Sequence, residues 1–226
     1  MAVDDASDGP ELKGHIKEKL IRSKRQWAEQ GRLLTGHADA KRANRLPPGQ
    51  KEVKNWPVLD LGVQPDVKPE KWRLRVTGLV ENTLHWTLPE FQALAQEEFE
   101  SDIHCVTAWS RYDNHWQGVS SRTILDLVKP KPEARHVVFH AYDGYTTNVK
   151  LDVFAEPDVL LATHWEGKPL PRDHGGPVRV VIPQWYFWKS AKWVNRIEFT
   201  AEDRPGFWEV RGYHNEGDPW KEERYS

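Results

Sequence analysis

Hydrophobic residues along this chain fall into short runs rather than long stripes. Over 72–77 the alternation is clean, with Trp72, Leu74 and Val76 against Arg73, Arg75 and Thr77. That period of two predicts a half-buried strand. Residues 103–108, 136–141, 159–165, 178–182 and 193–200 read as further strands, with Asp143-Gly144 and Glu166-Gly167 as turns. Helical spacing is rarer. Thr87 and Glu90 fit a capping box, Pro89 is tolerated in a first turn, and Phe91, Leu94 and Ala95 make an apolar stripe, so a helix starts near Thr87. Residues 121–128 read as a short capped helix. Residues 11–34 carry good helix formers and many charges, with Ile16, Leu20 and Trp27 as the contact side and Gly31 and Gly36 as stops. This is the pattern of a surface strap, and RLPPGQ at 45–50 ends any helix. Residues 1–10 read as a disordered tail. Many short strands with few helices predict an α+β fold built on one mixed sheet system. The chain divides into a charged tail and helical arm at 1–45 and one domain at 46–226.

At 226 residues the chain can bury about 70% of its unfolded surface without disulfide staples. The net charge of −2 and pI near 6.6 lack the basic face that nucleic acid requires. No run of about 18 apolar residues exists, so no membrane span is expected. The opening MAVDDASDGPELKG is acidic and polar, without an apolar stretch or a twin-arginine pair, and predicts a cytoplasmic protein. The 12 Trp serve either core packing or a wide apolar cleft for a large cofactor.

The signatures G-x-S-x-G, G-x-x-x-x-G-K-[ST], G-x-G-x-x-G and H-E-x-x-H do not occur, which argues against serine hydrolase, NTPase, dinucleotide enzyme and zincin. Two segments carry candidate chemistry. The first is DIHCVTAWSRYDNHWQG at 102–118, holding Cys105, the single cysteine of the chain. A lone cysteine excludes an internal disulfide and a Cys-rich zinc or iron–sulfur site. An inert buried thiol, a nucleophile and one thiolate ligand to a metal cofactor remain open. His104 could tune that thiolate or line its pocket. Adjacent strand residues face opposite ways, so it is badly placed as the base of a cysteine hydrolase. The second segment is HGGPVRVVIPQWYFWKSAKW at 174–193. Here His174, Arg179, Lys189 and Lys192 lie near a Gly-Gly backbone, a setting suited to phosphate or pyrophosphate. Arg179, inside a β-branched run, needs a partner, because a bare buried guanidinium is too costly. That partner is an internal carboxylate or a bound anion.

From about Leu46 onward the residues resemble the molybdopterin-binding domain of the sulfite oxidase superfamily, in particular its short bacterial members without a haem domain. The resemblance rests on RLPPGQ, NWPVLDLG, WRLRVTGLV, HCVTAWS, DGYTTNV, LLATHWEGKPLPRDHGGPVRVVIP, YFWKSAKWVNRIEF and GFWEVRGYH…DPW, in that order. It implies a mixed-sheet fold of that type and a molybdenum–molybdopterin cofactor. It also implies oxygen-atom transfer to or from a small sulfur or S-oxide compound. Cys105 matches the cysteine whose thiolate binds molybdenum, a soft donor completing a set of sulfur ligands. His174 and Arg179 match residues that hold the cofactor. Ser190, Ala191 and Lys192 match its phosphate-side contacts. Asn55 and Trp56 match a loop lining the pterin, and His140 or Ala141 another cofactor contact. Tyr145 matches the active-site tyrosine. Sulfite oxidases carry arginines just after the cysteine segment, whereas CVTAWSRYD is nearer to the methionine-sulfoxide-reductase branch, with Arg111 read as a surface charge in preference to a substitute anion contact. No haem motif such as C-x-x-C-H is present, so a separate electron-transfer partner is implied. The alternative within the same fold is a non-catalytic binding module that uses the cleft for an anion or a protein.

Overall fold

A computed structural model describes residues 18, 21–26 and 45–226. The tail 1–10 and the expected contact residues Ile16, Leu20 and Trp27 lie outside the described residues. Residues 21–26 are helical, and Ile21 is buried.

The strands divide into two sheets rather than one. The first has six strands: β1 (Lys51–Glu52), β4 (Glu97–Cys105), β5 (Trp109–Ser120), β8 (Leu160–Trp165), β9 (Lys168–Pro169) and β10 (Arg179–Val181). Its path runs β1-β5-β8-β10, with β4 also paired to β5 and β9 to β8. The second has five, ordered β3 (Leu84–Thr87), β2 (Arg73–Gly78), β11 (Val194–Thr200), β6 (His136–Ala141) and β7 (Thr146–Lys150). Parallel pairs, β1 with β5 and β2 with β11, stand among antiparallel ones, so both sheets are mixed.

The alternation read at 72–77 sets β2 as expected. Leu74 and Val76 are fully buried while Arg73 and Arg75 are exposed. Helix α1 (Leu88–Gln92) begins with both bonds of the capping box, Thr87 N–H to Glu90 Oε2 at 2.7 Å and Glu90 N–H to Thr87 Oγ1 at 3.4 Å. It is shorter than the stripe implied. Phe91 is buried, but Ala93 already caps the helix and Ala95 is exposed, because the chain turns into β4 at Glu97. Helix α2 (Ser121–Val128) is capped by Ser120 and buries Ile124 and Val128. Helix α3 (Leu151–Phe154) buries Phe154.

Two apolar clusters result. One packs Trp72, Leu74, Phe91, Phe139, Phe154 and Phe199 with Val180 and Ile182. The other gathers Trp56, Ile103, Trp109, Trp116, Tyr186, Phe207 and Trp208 around Cys105. It borders a cleft lined by Cys105, Trp56 and Trp109.

Candidate active site

Cys105 closes β4, and a tight turn carries the chain through Val106, Thr107 and Ala108 into β5. The turn is held by the Ala108 N–H to Cys105 O bond at 3.1 Å. Cys105 lines the cleft while His104, its neighbour on the strand, faces the other way and meets Ser110 Oγ at 2.8 Å. This is the period-two argument realised. Burial lowers His104 to about 4, so its imidazole is neutral at pH 7. Burial also pushes the Cys105 thiol above its ordinary range. That push is countered by hydrogen bonds from the Thr107 side chain and backbone and by the charges of Lys24 and Arg224. Thr107 Oγ1 lies 3.1 Å from the sulfur. No group of three or more His, Cys, Asp or Glu among the described residues could hold a bare metal ion.

The cationic wall comes from two adjacent loops. The loop before β10 forms a short 3-10 turn over Arg172–His174 and passes through Gly175 at φ +108°. The loop before β11 carries Ser190, Ala191 and Lys192. Backbone bonds zip the two together: Val180 N–H to Ala191 O at 2.8 Å, Trp193 N–H to Gly175 O and Val194 N–H to Val178 O, both at 3.2 Å. A Cβ on Gly175 would fall 2.9 Å from Lys192 Cβ and 3.1 Å from Arg179 Cβ, so only glycine lets these residues flank one another.

Arg179 is 2% exposed. Its guanidinium donates to His174 O at 2.8 Å, Ser190 O at 2.9 Å and Val180 O at 3.3 Å, and lies 4.1 Å from the Phe187 ring centroid. Among the described residues no carboxylate lies within ion-pairing distance of it. Burial lowers it to about 9. Lys192 Nζ donates to Asp173 O at 2.9 Å, and burial together with the Arg179 charge lowers it to about 7. His174 stacks on Trp56 at 3.7 Å between centroids, and burial and Arg179 lower it to about 4. Three nitrogen groups thus share one wall; burial is the main cause of the lowering at each, and the Arg179 charge adds to it at Lys192 and His174. The cleft they face has an internal volume of about 130 Å³ and opens to solvent.

Residues 61–208 match a family model described as the oxidoreductase molybdopterin binding domain. The chain belongs to this family. The molybdopterin domain is 45% identical over 185 residues to the uncharacterized oxidoreductase YuiH of Bacillus subtilis, covering 81% of this chain and 93% of that protein. It is 32% identical to the putative protein-methionine-sulfoxide reductase subunit YedZ1 of Azospira oryzae, over 66% of this chain and 56% of the relative. It is 29% identical to the protein-methionine-sulfoxide reductase catalytic subunit MsrP of Ralstonia nicotianae, over 64% and 48%. The chain spans about half the length of these two reductases. Its fold resembles the sulfane dehydrogenase SoxCD of Paracoccus pantotrophus, with a TM-score of 0.57 at 21% identity over 62% of this chain and 40% of that one.

As a family member the chain is a molybdopterin oxidoreductase, and the cofactor carries molybdenum. The residues present fit that group. A soft thiol and the nitrogen groups of His174, Arg179 and Lys192 line one cleft, and Gly175 lets Arg179 and Lys192 flank one another there.

Of the residues expected at the site, Cys105, Trp56, Tyr145, His174, Arg179, Ser190 and Lys192 line this one cleft. Three do not. His140 bonds Glu198 Oε2 at 3.1 Å and Arg196 on the outer face of the five-stranded sheet, because its place in β6 points it away from the cleft. Ala141 is likewise absent from the lining, and Asp143 in the following turn takes the place there. Ala191 is buried in the larger apolar cluster, its backbone carbonyl serving the loop zipper. Asn55 is exposed beside Trp56. Arg111 packs over the Trp165 ring at 4.7 Å and pairs with Glu166, off the cleft. Tyr145 donates to Trp188 O at 2.6 Å, and burial raises its phenol well above the ordinary value.

Sequence reasoning missed Lys24, Asp60, Thr107 and the C-terminal Trp208 and Tyr213, all of which line the cleft. Thr107 had a signal, two residues after the cysteine, whereas the others came from distant segments with no motif. Five of the 12 Trp, at 56, 109, 188, 193 and 208, wall the cleft, while Trp72 and Trp86 pack the opposite cluster. Both uses of tryptophan are present.

Proposed function

We propose that this molybdopterin oxidoreductase transfers an oxygen atom to or from a small sulfur or S-oxide compound, exchanging electrons with a separate protein or soluble carrier. In the reducing direction the balance is one S-oxide, two protons and two electrons giving one sulfide and one water. The observation that carries this reading is the sharing of one cleft by the Cys105 sulfur and the His174, Arg179 and Lys192 clamp. The similarity to protein-methionine-sulfoxide reductases supports the sulfur chemistry.

When bound, the cofactor supplies the two-electron oxygen exchange and the one-electron steps that return the metal to its starting state. The chain's residues do the rest. Cys105 would give the metal a thiolate, with Thr107 hydrogen-bonded to its sulfur. Arg179, Lys192 and His174 would grip the phosphate end. Ser190 accepts the Ile182 N–H at 2.9 Å through Oγ, which leaves its hydroxyl hydrogen to donate toward the same anion. Trp56, stacked on His174, would lie along the pterin. Tyr145, kept protonated by burial, would act beside the substrate as a neutral phenol.

Metal and pterin analysis tests this directly. Protein produced with molybdate should hold about one molybdenum and one pterin per chain. Wild-type protein that holds neither under those conditions overturns the assignment.

A further inference from the structure

Before the segment matched to the family model, the helical stretch 21–26 meets the cleft through Lys24. Ile21 is buried in the same apolar cluster as Cys105, Trp56 and Leu61. Tyr225 Oη donates to Arg25 O at 2.8 Å, and the Arg25 side chain lies against Gly212. The strap is thus fastened to the C-terminal segment, which is itself tied to the cysteine turn by Arg224 donating to Val106 O. Held this way, the strap delivers Lys24 into the cleft lining.

Lys24 is half-buried there, and among the described residues it forms no ion pair and no hydrogen bond. Asp60, the carboxylate that acts on it most strongly, already accepts the Gly62 N–H and the Gln64 Nε2, both at 2.8 Å. The Lys24 ammonium acts on Cys105 and also on Lys192, so it stands within reach of both the thiol and the cationic wall. The other cations near the cysteine turn are committed elsewhere, Arg111 to Trp165 and Glu166 and Arg224, whose charge also acts on the thiol, to Val106 O and Glu222. A cation that is partly desolvated, near the thiol and without a committed acceptor gains most from an incoming anion.

We infer that Lys24 is a substrate-binding residue, carried in from the N-terminal strap, and that it selects a sulfur substrate bearing negative charge over a neutral one. This rests on the reading above that the sulfur end of the cleft is the reacting end.

The test uses the full chain loaded with cofactor, as wild type, Lys24→Met and Lys24→Arg. Molybdenum and pterin contents are measured first. Equilibrium binding of sulfate, a non-reacting oxyanion, and of dimethyl sulfoxide, a neutral S-oxide, is then followed through tryptophan fluorescence in the oxidised protein. Lys24→Met should keep wild-type metal and pterin contents, bind sulfate about tenfold more weakly, and bind dimethyl sulfoxide within about twofold of wild type. Lys24→Arg should restore most of the sulfate affinity. Equal weakening of both ligands, unchanged sulfate binding, or loss of pterin in Lys24→Met overturns the inference while leaving the cofactor assignment standing. Wild-type protein without metal and pterin sinks that assignment and this inference with it.

Discussion

Replacing Arg179 by Met should hardly change the stability of the cofactor-free protein while stripping it of its capacity to retain the pterin. The two halves of that expectation come from the same surroundings. Burial lowers the guanidinium from its ordinary value above 12 to about 9, an opposition of about 5 kcal/mol at 1.36 kcal/mol per pH unit. Against this stand two good bonds, to His174 O at 2.8 Å and Ser190 O at 2.9 Å, contributing about 1.5–3 kcal/mol each as charge-assisted hydrogen bonds. The sums are similar, so the net change on truncation should be within about 2 kcal/mol. Breaking a buried ion pair from one side would instead cost about 3–5 kcal/mol. An anion that pairs with Arg179 loses one or two charge-assisted bonds, and pterin retention should fall about 10- to 100-fold. Urea unfolding followed by tryptophan fluorescence measures the first quantity on protein from a host unable to make the cofactor. Pterin released from protein made in a competent host measures the second. A destabilisation above about 3 kcal/mol with pterin content retained would refute the reasoning and make Arg179 a structural residue.

Cys105→Ser should keep pterin within about twofold of wild type and lose essentially all turnover, since the phosphate clamp is untouched while the soft ligand is gone; pterin assay with activity on S-oxides checks it. Lys192 is held at about 7 against an ordinary value of 10.5, so it is mostly neutral between those limits. An anion restores its proton. Phosphate binding by the cofactor-free protein should therefore take up close to one proton at pH 8, seen by calorimetry in buffers of different ionisation enthalpy, and Lys192→Met should abolish the uptake. The same depression makes Lys192 favour the unfolded chain below pH 7, and its contribution to stability should improve as pH rises from 7 to 10.5. Lys189 and Glu209 form a fully buried pair at 2.7 Å, with Thr147, Trp188 and Asn148 bonded to it. Lys189→Met should cost about 3–5 kcal/mol in urea unfolding by stranding the carboxylate, and adding Glu209→Gln should recover part of that.

Where polarity alternated with burial, the elements were legible. The period of two at 72–77 and the capping box at Thr87 and Glu90 each rest on neighbours within a few residues. Strand β5, the centre of the six-stranded sheet, was not, because it buries Ser110 and Asn114. Asn114 is satisfied by Arg111, Trp165 and the Ser101 carbonyl, partners that only the fold assembles. The site divides the same way. Cys105, His174, Arg179 and Lys192 announce themselves by chemistry that is awkward to bury. His140 was misplaced because a strand reverses direction with every residue, and its neighbours in β11, Glu198 and Arg196, claim it. Lys24 and Asp60 carry no local signal at all; their importance is created by where distant segments cross.

The paired loops that build the cationic wall also join the halves of the molecule, since Arg179 opens β10 in one sheet and Lys192 lies just ahead of β11 in the other. A phosphate gripped by both is a rivet through the seam. Hydrogen exchange in the cofactor-loaded protein should therefore slow together at Val180 and Val194, on opposite sides of the join, and an enzyme stripped of its cofactor should loosen there first.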